Sequence, residues 1–410
     1  MSTRPLRFVH TSDLHLEQPP FGIAQVPEHL RELFIECAYW AAERVFAVVL
    51  SEEADLLVLS GDILQPQETG PRGPIFLAEQ FERLAERGVQ VFWAGGRVDP
   101  PQAWPTSVRL PANVHVFPAG RPERILAERE GIALASVVGT SREEGQSIRP
   151  GDFALSPDGL FTVAVVHGSA EPEALRSRGI DYWALGGNPV RKTLYSDAQT
   201  AHYPGSPQGR DPSQVGPHGC TLVEVDPERH ARATFVPADV MRWHSERVVA
   251  DAATTRNDLQ SRIEDRIHAL RQSNPGTDLF ISWTIVGEGP LVAQVRHGSL
   301  AIELLETLRT EHGFASPAAW STGLAAEPLA IVPPPWYDEQ TIRGDFLRQL
   351  REYQAEPQAP VALEAYLAEQ HRGGPLAAAA TIAPGAERER VLREAAMLGV
   401  DLLTGEDPEP

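Results

Sequence analysis

Short apolar segments that alternate with amphipathic ones constrain the fold of this chain most strongly. Asp55–Ser60 (DLLVLS) is the clearest case, because its apolar residues follow one another without alternation. Such a strand is buried on both faces, as in sheets covered by helices. Pro27–Leu50 has an apolar stripe at helical spacing and separates this strand from another at Leu6–His10. The pattern predicts an α/β fold in layers.

The same alternation continues through the first 240 residues. Further elements are predicted as a helix at Ile75–Arg87, strands at Val89–Trp93, Val114–Phe117, Ile132–Val138, Thr162–Val166 and Ile180–Leu185, and a hairpin at Thr221–Val225 and Ala231–Phe235. We therefore expect a first domain that spans residues 1–240.

Two smaller regions are expected after it. Residues 241–335 are predicted to form an α+β domain with helices at Thr254–Gln272 and Leu300–Glu311 and a strand at Leu279–Val286. Residues 336–410 follow a PPPW segment that is typical of a linker, and helices are predicted there at Thr341–Tyr353, Val361–His371 and Glu387–Leu398. Gly373–Gly385 is rich in Ala, Gly and Pro, which predicts a flexible segment.

Composition narrows the function. The formal net charge of −20 repels nucleic acid, so contact with DNA requires a local basic groove or a partner. Two cysteines, Cys37 and Cys220, exclude a disulfide framework and disfavour a cysteine-ligated zinc site. The N-terminus has no leader pattern and no run of 18 apolar residues occurs, so a cytoplasmic protein that does not enter the membrane is expected.

Polar and glycine residues follow the predicted strands where each one ends. The groups, in chain order, are Asp13 and His15, Gly61 and Asp62, Gly95–Asp99, His167 and Gly168, and Gly186–Pro189. Ligands of open α/β sheets bind beyond the carboxyl ends of the strands. Carboxylate and imidazole groups gathered there suit manganese or zinc, and paired ions can stabilise both the attacking and the leaving oxygen of a phosphoester. The order of the groups predicts a metal site.

The same groups carry a resemblance to a known family. Their order (D-x-H, GD, a G-N-H-D position, H-G and a G-H-x-H position) resembles the calcineurin-like metallophosphoesterases. The segments FVHTSDLHLEQPP, ADLLVLSGDIL, DYWALGG and HYPGSPQGRDP resemble the SbcD-like DNA-repair exonuclease subunit, over roughly residues 6–240. The resemblance implies a sandwich of two mixed β-sheets flanked by helices, a smaller α+β cap domain and C-terminal helices. It also implies DNA ends as substrate, an SbcC-like coiled-coil ATPase as partner and a homodimer.

The resemblance assigns metal ligands residue by residue, and the match is incomplete. The first ion of the family is implied to bind Asp13, His15 and Asp62, but Pro189 stands where its last histidine is expected. The second ion shares Asp62 and adds His167.

Two further ligands of the second ion are replaced, by Arg97 and Gly187. Three protein ligands and water suffice for a metal, whereas two rarely hold one tightly. One Mn ion, or another divalent metal, is therefore the expected cofactor. The family's general acid is replaced by Val98, while its orienting carboxylate, Asp99, remains. Loss of a general acid costs ~10²–10⁴ in rate, so weak or lost hydrolysis is predicted.

Several basic and histidine residues have two interpretations. An Arg97 guanidinium beside Asp62 supplies the charge of the missing ion, or it faces solvent on an altered loop; in the first case Arg97→Ala is expected to destabilise the domain. Arg191, Lys192 and Arg210 form a phosphate-binding patch or are surface charges. His202 and His218 replace a lost ligand or are ordinary surface residues.

The C-terminal helix also has two interpretations. Its stripe of Val391, Leu392, Ala395 and Leu398 is typical of a helix that docks on a partner, or of one that folds back on its own domain. Three functions compete: an SbcD-like subunit with impaired hydrolysis that works with an SbcC-like ATPase at DNA ends, an active Mn-dependent nuclease with a rearranged site, and a phosphatase of another phosphoester. The first is preferred because ligands and the general acid are missing.

Overall fold

The computed structural model describes residues 5–24, 26–66, 70–143, 147–157, 159–287, 289–327, 332, 334–363, 369 and 380–403. The chain divides into two compact units. The first comprises the chain up to Ser245 together with His268–Ser282 and His312–Thr322; the second comprises Glu246–Ile267, Trp283–Glu311 and the chain from Gly323.

Seventeen strands are found in the described residues. In chain order they are β1 (Leu6–Thr11), β2 (Leu56–Leu59), β3 (Gln90–Ala94), β4 (Val114–Phe117), β5 (Glu123–Arg129), β6 (Ile132–Thr140), β7 (Phe161–His167), β8 (Tyr182–Gly186), β9 (Lys192–Ser196), β10 (Thr200–Tyr203), β11 (Gly219–Val225), β12 (Ala231–Pro237), β13 (Met241–Ala250), β14 (Asp278–Gly287), β15 (Ala319–Ala326), β16 (Val361–Ala362) and β17 (Thr381–Ile382).

Eight α-helices accompany them in the described part of the chain. They are α1 (Arg31–Ser51), α2 (Arg72–Ala85), α3 (Pro172–Arg176), α4 (Arg256–Ser273), α5 (Pro290–His297), α6 (Ser299–His312), α7 (Ile342–Ala355) and α8 (Ala386–Leu403). Short 3-10 helices lie at Glu28–Leu30, Pro101–Ala103, Pro150–Asp152 and Pro334–Asp338. No described helix has both the length and the apolarity that a membrane span needs.

Two six-stranded sheets form the first unit. One has the order β12-β11-β1-β2-β3-β4, the other β5-β6-β7-β8-β10-β9. In the first sheet the parallel strands β1 to β4 are joined on one side by the antiparallel β11 and β12, and in the second the parallel strands lie between antiparallel edge strands, so both sheets are mixed. Phe8 and Phe92 of the first sheet share a buried cluster with Val163 and Tyr182 of the second. The predicted fold class, two mixed sheets flanked by helices, is confirmed.

Helices cover the outer face of the first sheet. The apolar stripe of α1 contributes Val45, Phe46 and Val49 to a buried cluster with Leu57 and Leu59 of β2. Because the two faces of β2 lie under helices and under the other sheet, all four of its residues are buried. This explains its continuous apolar sequence.

The three-stranded sheet β13-β14-β15 follows. Trp243 and Phe280 pack with Phe34 of α1, which places the beginnings of these strands in the first unit. The predicted boundary at residue 240 lies ahead of the observed division because this aromatic cluster joins the later strands to α1.

The C-terminal helix α8 packs against α7 within the second unit. Leu347 and Leu350 of α7 share a buried cluster with Ala396 and Val400 of α8. Of the two interpretations of this helix, folding back on its own unit is the one the structure has. The stripe residue Leu392 is also buried.

Two kinds of element differ from the sequence prediction. The helix predicted at Val361–His371 is wrong at its start, because residues 361–362 pair as a strand with 381–382; residues 364–368, 370 and 371 of that helix, and residues 373–379 of the flexible segment predicted at Gly373–Gly385, lie outside the described residues. The strands β5, β9, β10, β13, β15, β16 and β17 and the helices α3 and α5 were not predicted. β5, for example, lies at a sheet edge and carries polar residues on both faces, which hides its strand character.

Candidate metal centre

The carboxyl ends of β1, β2 and β7 meet at one edge of the two-sheet sandwich. β1 and β2 are parallel neighbours, so the loops that hold Asp13 and Asp62 lie side by side. The backbone N–H of Asp13 donates to the carbonyl of Gly61 (2.9 Å), and that of His15 donates to the carbonyl of Asp62 (3.1 Å). These bonds tie the D-x-H and GD loops to each other.

Three predicted ligands form one buried cluster. Asp13, His15 and Asp62 each offer a ligand atom, and these atoms lie within 4.8 Å of one another. His167 joins from the second sheet, with its Nε2 3.5 Å from Oδ2 of Asp62. All four residues are less than 9 % exposed. The structure thus brings together the four ligand residues expected from the sequence.

The backbone of three of these residues is strained. Asp13, His15 and Asp62 have φ values of 55°, 47° and 55°, in the left-handed region that residues with a Cβ seldom adopt. Such strain persists only where surrounding contacts impose it, and it concentrates at functional sites. Here the cross-loop hydrogen bonds impose it.

The imidazole groups are arranged as metal ligands. Burial, followed by the nearby Arg210 cation, lowers the pKa of His15 to about 4, so its ring is neutral at pH 7. Its Nδ1 is buried and has no hydrogen-bond partner in the described residues. Nδ1 of His167 lies 2.9 Å from the carbonyl of Ser60, which sets the tautomer that leaves the Nε2 lone pair toward Asp62. An orphaned ring nitrogen and two buried carboxylates fit a divalent cation.

A backbone amide lies at Gly187, where the resemblance implies a metal-binding side chain. The N–H of Gly187 donates to Oδ2 of Asp13 (2.9 Å), which also accepts from the hydroxyl of Ser12 (2.6 Å). A Cβ at Gly187 would lie 2.9 Å from Nε2 of His167, and φ here is +90°. The backbone therefore occupies the space beside His167. Burial raises the pKa of Asp13.

Arg97 lies beside Asp62, as the first of its two interpretations requires. Oδ1 of Asp62 accepts the backbone N–H groups of Arg97 (2.5 Å) and Val98 (3.0 Å). The Arg97 guanidinium lies 3.7 Å from Oδ2, and its side chain is 71 % exposed. Because exposed ion pairs contribute little to stability, the expected destabilisation by Arg97→Ala does not follow from this geometry.

Asp99 holds the loops around the site in place, and it has no proton-donating side chain to orient at Val98. Its carboxylate accepts four N–H groups, from the backbone of Asp62 (2.8 Å), Ile63 (3.2 Å) and Gly96 (2.7 Å) and from the indole of Trp93 (2.9 Å). Burial, with the Asp62 charge second, raises the pKa of Asp99 to about 7. The resemblance implies that Asp99 is an orienting carboxylate, and the backbone amides it holds are visible only in the structure.

Pro189 is the remaining position at which the resemblance implies a metal ligand that this chain lacks. Its side chain has no donor atom for a metal, and its carbonyl accepts from the N–H of Ser206 (3.0 Å). Pro189 and Val98 both line the cleft beside the cluster. Neither can bind an ion or transfer a proton through its side chain.

The cluster opens into a cleft of about 870 Å³. Lys192, Arg210 and Arg97 line it, together with Arg142, which the sequence did not reveal. Arg191 instead places its guanidinium 5.7 Å from the ring of Phe235 and does not belong to the described lining of this cleft. The cations that line the cleft are therefore a partly different set from the predicted phosphate patch, which stays a prediction.

The remaining histidines of interest are held elsewhere. His202 lies between the hydroxyls of Thr193 and Thr221, at 2.9 Å from each, and His218 contacts the carbonyl of Ser206 (3.0 Å). Both are buried, contrary to the surface position that was one interpretation. Neither lines the metal cleft among its described residues, so neither replaces a lost ligand there.

Comparisons with known proteins give a similar sequence and several solved structures. No family model matches the chain. The chain is 28 % identical over 340 residues to a Bacillus subtilis (strain 168) protein named uncharacterized metallophosphoesterase YhaO, covering 78 % of this chain and 82 % of the relative. The similarity supports the metallophosphoesterase family.

Solved structures are similar only at a low level. A dimetal phosphatase from Danio rerio has a TM-score of 0.34 at 11 % identity and covers 57 % of this chain and all of its own. An archaeal phosphodiesterase has a TM-score of 0.30 at 12 % identity and covers 56 % of this chain and all of its own. These values carry no conclusion about activity.

Proposed function

We propose that this chain is a metallophosphoesterase-type phosphoesterase that holds one divalent ion, with Mn as the expected metal, and whose phosphodiester hydrolysis is weak or lost. The observation that carries the proposal is the buried cluster of Asp13, His15 and Asp62, with Arg97 and Gly187 at the positions of missing ligands. The cluster supports one ion, and the replacements remove ligands of a second.

The residues that would hold the ion are those of the cluster. Asp13 and His15 belong to it, and Asp62 lies between them and His167. An ion held by these residues would supply Lewis-acid chemistry toward a phosphoester. The chain's own residues supply the neutral imidazole of His15 and the oriented imidazole of His167.

The missing proton donor supports impaired hydrolysis. Val98 has no titratable group, and all four N–H contacts of Asp99 serve to position backbone and Trp93. A leaving alkoxide therefore has no side-chain donor at the family's position. General-acid catalysis is worth ~10²–10⁴ in rate, which is the deficit we expect.

Metal stoichiometry tests the proposal directly. Elemental analysis of the purified protein and a calorimetric titration with manganese separate zero, one and two ions. One ion per chain is expected, and Asp62→Asn is expected to abolish its binding. Two tightly bound ions would overturn the proposal.

The resemblance extends the proposal to a partner. We place the chain with an SbcC-like coiled-coil ATPase at DNA ends in the cytoplasm, as a possible homodimeric subunit, on the sequence segments that resemble the SbcD-like subunit. The cationic cleft residues support contact with phosphodiesters despite the net charge of −20. Co-purification of the tagged chain with such an ATPase is the test, and its absence would count against this part alone.

A specific observation favours an active enzyme as the second candidate. The exposed Arg97 guanidinium stands near Asp62 and faces the cleft, where it can stabilise a phosphoryl oxygen. An active Mn-dependent exo- or endonuclease would cleave DNA with manganese and lose this activity in Asp62→Ala. Hydrolysis of an aryl phosphate but not of DNA would favour a phosphatase instead.

A further inference from the structure

An aromatic ring stands exposed at the metal cleft. Phe21 lines the same cleft as Asp13 and Asp62, yet 56 % of its surface is open to water. Its position in a polar cleft with four cations is unusual for a residue that contributes most to stability when buried. A flat apolar surface beside cations is suited to a planar ligand group that also carries negative charge.

The backbone that carries this ring is held by two contacts. The N–H of Phe21 donates to the carbonyl of Arg210 (2.8 Å). The next residue, Gly22, has φ +91°, and a Cβ there would lie 2.5 Å from Cδ of Pro212. The loop is therefore packed closely on the Arg210–Pro212 segment, so the backbone that presents the ring is in place before a ligand binds. Such preorganisation reduces the entropic cost of binding.

Arg210 presents a cation next to this ring. It is half-buried, and its Nε–H finds no hydrogen-bond acceptor in the described part of the chain. Burial lowers the pKa of Arg210, while the charges of Asp13, Asp211 and Asp62 raise it. Arg210 lines the cleft, and a guanidinium there can bind a phosphodiester oxygen through its planar fork of donors.

We propose that Phe21 and Arg210 form a nucleotide subsite, in which Arg210 binds a phosphodiester and Phe21 stacks on an unpaired base next to it. The inference rests on the proposed phosphodiester cleft and specifies its substrate as a strand with accessible bases. Aromatic stacking and backbone cations are the two components by which proteins hold single strands without reading sequence. Lys192, which also lines the cleft, adds charge along the path of the strand.

Two oligonucleotides separate the two contacts. The full chain is titrated, without divalent ions, against a fluorescein-labelled oligothymidylate and against an abasic strand of equal length, with fluorescence anisotropy as the readout. Phe21→Ala is expected to weaken oligothymidylate binding by about 5- to 100-fold and to leave the abasic strand unchanged. Phe21→Trp is expected to retain binding of both strands. Phe314→Ala, which removes another exposed ring that stacks on His29, serves as the matched control.

A second pair of variants tests the cation. Arg210→Gln is expected to weaken both strands, whereas Arg232→Gln, on the exposed side of β12, leaves both unchanged. Circular dichroism and thermal melting verify that each variant is folded. Equal binding of the two strands by the unmodified chain, or unchanged binding by Phe21→Ala, would overturn the stacking inference and leave the phosphodiester cleft standing. Binding of neither strand would overturn both.

Discussion

The guanidinium of Arg97 lies 3.7 Å from Oδ2 of Asp62, at the position where the resemblance implies an asparagine ligand. The positive charge of Arg97 thus lies near the place where the resemblance implies a second ion. Because the arginine is 71 % exposed and the aspartate is buried, its effect falls on ligand binding more than on folding.

Arg97→Ala is therefore expected to change the affinity for the metal while leaving the stability of the fold almost unchanged. The free energy of unfolding should change by less than about 1 kcal/mol, since the backbone N–H groups that hold Asp62 remain. Manganese should bind several-fold more tightly at low salt, because a repelling charge is removed. Thermal melting and calorimetric titration measure the two quantities. A large loss of stability would show that the ion pair supports the fold.

Asp62→Asn is expected to remove manganese-dependent stabilisation. At a free-ion concentration 100 times its dissociation constant, an ion bound only to the folded state stabilises by about 2.7 kcal/mol. The variant keeps the size of the side chain but loses the charge next to His167. Thermal melting with and without manganese is the measurement. His230→Gln, in the exposed turn between β11 and β12, is the control and should retain the manganese effect.

Acid sensitivity is expected from two buried histidines. Burial, then the neighbouring His202, lowers the pKa of His10 well below its usual value, and burial, then the Arg191 charge, lowers that of His202 to about 3. The unfolded chain takes up protons near pH 6.5 whereas the folded chain does not, so stability falls as pH drops from 6.5 toward 3.

His202→Gln should reduce this acid sensitivity. Each such histidine contributes a slope of about 1.4 kcal/mol per pH unit below 6.5, and the variant loses one of them. Urea unfolding at pH 7, 6 and 5 gives the slope directly. The variant is expected to be less stable at pH 7, because two hydrogen bonds to threonines are altered. Its free energy of unfolding should, however, depend less on pH. An unchanged slope would mean that His202 is already protonated in the fold.

Gly96→Ala is expected to disturb the metal centre through the backbone. A Cβ at Gly96 would lie 2.4 Å from both the backbone nitrogen and Oδ1 of Asp62. Since neither atom can withdraw without breaking the hydrogen bonds around Asp99, we expect a loss of about 1–3 kcal/mol and weaker manganese binding. Gly151→Ala, which meets no atom within 4 Å, is the matched control. Equal melting temperatures for the two variants would contradict the expectation.

Ala396→Glu is expected to release helix α8 from α7. Ala396 is 3 % exposed and lies in the cluster with Leu347 and Val400. A buried charge without a partner costs about 3 kcal/mol, which the helix avoids by detaching. Limited proteolysis should then cut within α8 sooner than in the unmodified chain. Glu394→Gln, on the exposed side, should leave the cleavage rate unchanged.

Periodicity was sufficient to predict an α/β fold in layers, whereas the two-sheet sandwich and the assignment of ligands came from the family resemblance. Segments such as Leu56–Leu59 are continuously apolar because both faces of the strand are covered. Their burial can therefore be predicted from their sequence. Strands such as β10 were missed because His202 and Thr200 satisfy their polar groups inside the sheet, which no local pattern reveals.

The amino-acid sequence by itself determined which chemical groups stand after each strand, and the family resemblance then implies which ligands and which proton donor are replaced. Only the tertiary structure decided what replaces them. The amide of Gly187 reaches Asp13 across 174 residues of chain, and Arg210 meets Phe21 through a backbone hydrogen bond. Strand-end composition is a local property and can be read along the chain, whereas these contacts depend on the path that brings distant loops to one edge of two sheets.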